Sequence, residues 1–146
     1  MATELAVEPA LGALKRYFAL RDEVAFAFLF GSQARRTANP LSDVDVAVYF
    51  RPKQKRPLEC ESEVFYPTEE TVWADLERLL GREVEMMVLN RARASVAASA
   101  ISGVPLAIND VRQYLDFAEV VTFEAIDFRE MLIQDFLDRE ALCRRS

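Results

Sequence analysis

Asp43 and Asp45 stand one residue apart in "SDVDVAVYF", separated by ten residues from a Gly31-Ser32 pair that ends the apolar run "VAFAFLF". Side chains alternate faces along an extended strand, so the two carboxylates project to one side, roughly 6.6 Å apart, while Val44, Val46 and Val48 take the other. Carboxylates held side by side repel one another and lose hydration unless a cation serves both. Hard oxygen donors favour magnesium, which keeps waters of its own and takes one or two carboxylates together with substrate phosphates. Gly31 and Ser32 fit the other half of such a site. A glycine at a strand end lets a ligand approach the backbone closely, and the N–H groups that open a following helix attract an anion.

A third carboxylate would complete an arrangement in which two ions, about 3.5–4 Å apart, clamp the attacking and leaving oxygens. Glu85 in "REVEMMVLN" is the best candidate, because it faces away from Val84, Met86 and Val88 as the two aspartates face away from their valines. If the two strands are neighbours in register, all three acids converge. Ser32 is not read as a nucleophile, since the chain has no histidine to activate it. Arg35 either steadies a triphosphate or pairs with a surface acid.

The elements that must position these residues follow from periodicity. Residues 9–20 put Leu11, Leu14 and Phe18 on one helical stripe, with Pro9 in the first turn. "VAFAFLF" reads as a buried strand, "SQARRTA" as a short helix before the turn "NPLS", and 43–50 as a second strand. Residues 51–67, with three prolines and the cluster Arg51, Lys53, Lys55 and Arg56, read as an exposed loop or flexible insertion. Thr68 is placed to cap a helix that carries Glu69 and Glu70 in its first turn and buries Val72, Leu76, Leu79 and Leu80, with Gly81 as its stop and Trp73 as a packing residue. A third strand covers "REVEMMVLN", and Asn90 is expected to cap an alanine-rich helix that runs to Ser102 and ends at Gly103. "VPLAI" reads as a short edge strand, because its proline cannot donate to a ladder. From Asp110 onward there is neither Gly nor Pro, so the rest is expected to be helical, although "VVTF" at 120–123 could mark a break. The expected organisation is one α/β domain over 1–146, its core about 10–110 and its helical C-terminal segment about 110–146.

The stretch "GSQARRTANPLSDVDVAV" resembles the Gly-Ser, ten-residue, Asp-x-Asp signature of the nucleotidyltransferase superfamily of DNA polymerase beta type. With its small size, "EVEMMVLNRA" as third-acid strand and an acidic helical tail, the chain looks most like the minimal nucleotidyltransferase (MNT) antitoxins. The resemblance covers most of residues 10–110. It implies an α/β (α+β) fold, a small mixed sheet flanked by helices, with ATP as co-substrate, Mg2+ as cofactor, and AMP transferred to a hydroxyl. In the antitoxin branch the acceptor is a tyrosine of a partner HEPN-domain ribonuclease toxin, silenced by the modification within a hetero-oligomer. Carried over by position, Gly31 and Ser32 would hold the nucleotide phosphates, and Asp43 and Asp45 would bind the metals. Glu85 stands where the family usually has aspartate, so its longer side chain would bind metal or take the hydroxyl proton. Arg36 stands where many relatives have glycine.

Two other functions stay open. One is transfer to a small molecule, as in antibiotic-modifying relatives, which generally carry a larger second domain that 146 residues do not accommodate. The other is a binding module without catalysis that neutralises its partner by occlusion. A net charge of −6 argues against stable binding to long nucleic acids, which need clustered cations. A single nucleotide bridged by a divalent ion remains compatible. Cys60 and Cys143 are far apart in the chain and form no disulfide framework, and the longest apolar run is far too short to span a bilayer. A cytoplasmic protein with no export signal is expected.

Overall fold

The computed structural model describes residues 7–31, 44–52 and 58–145, with side chains for 9–31, 44–52, 58–127 and 129–141. Its elements are α1 (Val7–Ala19), β1 (Val24–Phe30), β2 (Val44–Phe50), α2 (Glu69–Leu80), β3 (Val84–Val88), α3 (Ala94–Ala100), β4 (Val104–Ile108) and α4 (Val111–Arg145). The strands form a mixed sheet in the order β3-β2-β1-β4. β1 pairs antiparallel with β2 and with β4, whereas β2 and β3 run parallel. A parallel pair needs a crossover, and α2 supplies it. The short helix and turn expected at 32–41 lie outside the described residues.

Two apolar layers sandwich the sheet. On one face, Leu14 and Phe18 of α1 and Val72 and Leu76 of α2 bury Val44, Val46, Val48, Val84 and Val88. On the other, Ala94, Ala97 and Ala100 of α3 and Phe117 and Val121 of α4 cover Phe26, Phe28, Ala47 and Tyr49. The Phe26 and Tyr49 rings stack at 4.8 Å between centroids, and Phe117 tilts onto Tyr49 at 4.9 Å. β1 is covered from both sides, which is why it is an unbroken apolar run rather than an alternating one. Gly103 lies where the chain turns from α3 into β4. A Cβ there would sit 2.2 Å from the Leu29 carbonyl oxygen, so only glycine lets the start of β4 come this close to β1.

Several local expectations are corrected by long-range contacts. Asn90 does not cap α3, whose N-terminal flank is Arg93 with no side-chain cap. It is fully buried, accepting from the Phe50 N–H at 2.9 Å and donating to the Phe50 carbonyl at 2.8 Å. Its amide also donates to Glu59 at 3.0 Å, and Glu59 accepts in turn from the Tyr66 hydroxyl. With Tyr66 stacked on Phe50 and the Glu59 N–H donating to the Tyr49 hydroxyl, residues 58–66 are a loop, as expected, but one tied to the end of β2, with Glu61, Glu63 and Phe65 exposed and the residues between them half-buried. Lys53, Lys55 and Arg56 lie outside the described residues.

Helix α4 runs without a break through Val120, Val121 and Thr122. The helix cost of β-branched residues is at most about 0.7 kcal/mol each, and burying Val121 offsets it. At 35 residues the helix is roughly 52 Å long, and beyond Val121 its described side chains are exposed except for half-buried Ala125.

Asn90→Ala strands a donor and an acceptor of Phe50 in the interior. It is expected to lower stability by about 1–3 kcal/mol. The measurement is urea unfolding, where the midpoint should fall while the slope stays unchanged.

Candidate active site

The parallel register sets Asp45 opposite Glu85 and Val44 opposite Val84. Because alternation sends both valines into the α1/α2 layer, Asp45 and Glu85 emerge together on the opposite face. The antiparallel register sets Phe30 opposite Asp45, so Gly31 follows directly beside the aspartate. Gly31 has φ of 76°, in the left-handed region. A Cβ on it would lie 2.3 Å from Oδ2 of Asp45, so the carboxylate rests against the glycine backbone in space only glycine leaves open.

Asp45 is half-buried and Glu85 exposed. Glu85 makes no hydrogen bond or ion pair among the described residues. Two carboxylates on adjacent strands are a donor set that fits a hard divalent cation. The structure thus brings together Gly31, Asp45 and Glu85. Ser32, Arg35, Arg36 and Asp43 lie outside the described residues.

Beyond Glu85, a cavity of about 300 Å³ is lined by Glu69, Glu70, Trp73, Glu85, Met86 and Arg91. Trp73, expected to be a packing residue, is 45% exposed. Its indole N–H donates to the Val84 carbonyl at 2.6 Å, while the Val84 N–H donates to Glu77 at 3.1 Å, so α2 grips the start of β3. Arg91 forks onto Glu69 with bonds of 2.8 and 2.7 Å, donates to the Val64 carbonyl at 3.2 Å, and lies 4.7 Å from the Phe65 ring centroid. Burial works against charge on Glu69, but Arg91 and the Tyr66 N–H at 2.7 Å outweigh it, holding this carboxyl below its ordinary 4.5. Sequence reasoning saw in Glu69 a first-turn acid and missed Arg91. The two are 22 positions apart, with no local pattern to join them.

A second set of possible ligands, Cys60, Glu61 and Glu124, gathers between residues 58–66 and α4. Burial first, then the Glu124 and Glu61 charges, push the Cys60 thiol up to about 11, away from the thiolate that binds metal.

A mixed four-stranded sheet with helices on both faces, carrying acids side by side on neighbouring strands, belongs to the polymerase-beta class of nucleotidyltransferase folds. Residues 13–112 match the family described as polymerase beta, nucleotidyltransferase, and the chain belongs to that family. The fold is also similar to a chain of a toxin-antitoxin crystal structure with AMP-PNP, at TM-score 0.61 and 20% identity, covering 86% of this chain and 98% of that one. A mutant of the MntA-HpeT toxin-antitoxin gives 0.59 and 17%, covering 91% and 99%. A Shewanella oneidensis complex of tri-AMPylated HEPN toxin with MNT antitoxin gives 0.56 and 17%, covering 87% and 97%. No curated protein matches the chain significantly in sequence.

Two outcomes are expected. Gly31→Ala costs about 1–2 kcal/mol of left-handed strain and drives the new methyl into the Asp45 carboxylate. The thermal midpoint of the variant should fall below the parent's accordingly, read by thermal unfolding of the two proteins side by side. The second concerns acid. The folded pKa of Glu69 is depressed, so its ion pair with Arg91 stabilises the fold above about pH 4.5 and is lost as pH falls through the lower folded value. Thermal melts of Glu69→Gln, compared with the parent from pH 7 down to pH 3, should show the largest gap at neutral pH and convergence at the acid end.

Proposed function

We propose that this protein is a magnesium-dependent adenylyltransferase that moves AMP from ATP to a tyrosine hydroxyl of a partner HEPN-domain toxin, and so acts as its antitoxin. The observation that carries the reading is the in-register pairing of Asp45 with Glu85 beside the left-handed Gly31. Support also comes from similar folds, one crystallised with AMP-PNP and another with a tri-AMPylated HEPN toxin.

In this reading Gly31 and Ser32 receive the triphosphate through backbone N–H groups and the serine hydroxyl, and Arg35 steadies it. Asp43, Asp45 and Glu85 would hold Mg2+, which neutralises phosphate charge when bound. The acceptor oxygen bonds to the α-phosphorus, the bond from that phosphorus to the bridging oxygen breaks, and pyrophosphate leaves with the electron pair. Glu85, exposed and one methylene longer than aspartate, would either complete the metal site or take the hydroxyl proton in its place.

One observation favours a second reading, neutralisation by binding alone. Beyond Val121, α4 leaves Phe123, Ile126, Leu132, Phe136 and Leu137 about half exposed or more, apolar area of the kind that contact with another chain would cover. No described helix is long and apolar enough to cross a membrane.

The test incubates the protein with ATP, Mg2+ and the HEPN protein encoded beside it, then weighs the partner. One or more added AMP masses are expected, absent when Asp43 and Asp45 are both changed to asparagine. If that double variant still neutralises the toxin fully, occlusion replaces transfer. An unmodified partner after incubation with folded protein defeats the enzyme reading.

A further inference from the structure

Strand order and register set three groups in a row across the end of the sheet: Glu85 on β3, Asp45 on β2, and Gly31 just past β1. At about 4.8 Å per strand the row spans roughly 10 Å. Displacement at phosphorus proceeds in line, so the attacking oxygen enters opposite the departing pyrophosphate. With the phosphates at Gly31, on the β1 side, and the reacting bond aligned with this row, the attacking group enters from the β3 side. That is where the cavity beside Glu85 lies.

We propose that this cavity receives the acceptor side chain, with Trp73 and Met86 as its apolar walls and Glu70 selecting an acceptor segment that carries a cation beside its hydroxyl. The inference rests on the adenylyltransferase reading and adds the acceptor's entry route and its charge preference.

Three features argue for it. The cavity is at the small end of the range for ligand pockets, about 300–1,000 Å³, which suits one protein side chain rather than a nucleic acid strand. The Trp73 ring is exposed although its N–H is already satisfied by Val84, so its face is available to an aromatic acceptor or a neighbouring cation. Finally, Arg91 is committed to Glu69 and Glu85 is assigned to the metal, so the charge left facing the cavity is that of Glu70, which has no hydrogen bond or ion pair among the described residues. Such a lining repels phosphate and attracts a positively charged segment.

Trp73 is the only tryptophan of the chain, so its emission reads the cavity directly. The protein is saturated with Mg2+ and a non-hydrolysable ATP analogue, then titrated with a tyrosine peptide flanked by arginine, or with the same peptide flanked by glutamate. A saturable emission change is expected, with affinity for the arginine peptide tighter by about tenfold or more. Glu70→Lys, an exposed substitution, should erase or reverse that preference and leave the affinity for the analogue unchanged. Equal affinities, an unresponsive Trp73, or a response produced by the analogue alone and not altered by peptide would overturn the proposal. Failure of the underlying reading looks different: peptide binds and Trp73 responds, yet wild-type protein with ATP adds no AMP to the partner.

Discussion

The parallel, in-register pairing of β2 with β3 is the constraint on which the site depends. It forces Asp45 and Glu85 to emerge side by side, two like charges that repel by about 1 kcal/mol in a watery setting and several times more where partly shielded from solvent. The opposing term is larger. Val44, Val46, Val48, Val84 and Val88 are all nearly inaccessible, and each buried side chain of this size contributes roughly 1.5–3 kcal/mol. A slip of one residue would turn Glu85 into the α1/α2 layer and push valines toward the opposite face. Core packing therefore holds the acids together against their own repulsion, and a cation is the natural remedy for what repulsion remains.

The register is also pinned at both ends of β3. At its start, Trp73 and Glu77 of α2 take the Val84 carbonyl and N–H. At its end, the Leu89 N–H donates to the Val48 carbonyl at 2.8 Å, and the Asn90 amide pairs with both backbone groups of Phe50. These are polar groups satisfied in places where an unsatisfied one would be costly. They give the acid pair a position set by many atoms rather than by the two side chains alone, which is what a reaction governed by positioning requires.

Much of this was legible in the chain. The unbroken run Val24–Phe30, the alternation in "DVDVAVYF" and the proline of "VPLAI" marked a buried strand, a two-faced strand and an edge strand, and each lies where its pattern implied. The convergence of Asp45 with Glu85 followed from alternation plus an assumption of adjacency, and the register satisfies that assumption. What stayed hidden was contact between distant segments. Asn90 looked like a helix cap because Asn is a good one, but its amide is spent 40 positions away. Residues 58–66 looked solvated because proline and charge are local signals, while their anchors, Tyr49 and Asn90, lie elsewhere in sequence. Trp73 looked like core because aromatic rings usually are, and only the position of α2 against edge strand β3 leaves its face open.

The overall charge gives the site its logic of access. A chain of net charge −6 that gathers carboxylates at one sheet end repels a bare triphosphate. In the proposed reaction nucleotide would therefore settle together with divalent cations, and a single electrostatic arrangement would reject free polyanions and accept a metal-bound nucleotide. On the other flank of Glu85 the same negative field meets no phosphate. There it would favour, in the proposed reaction, a positively charged acceptor segment on the β3 side. Donor and acceptor of the proposed reaction would approach from opposite sides of one acid row, and the row itself is fixed by valines buried on the other face of the sheet.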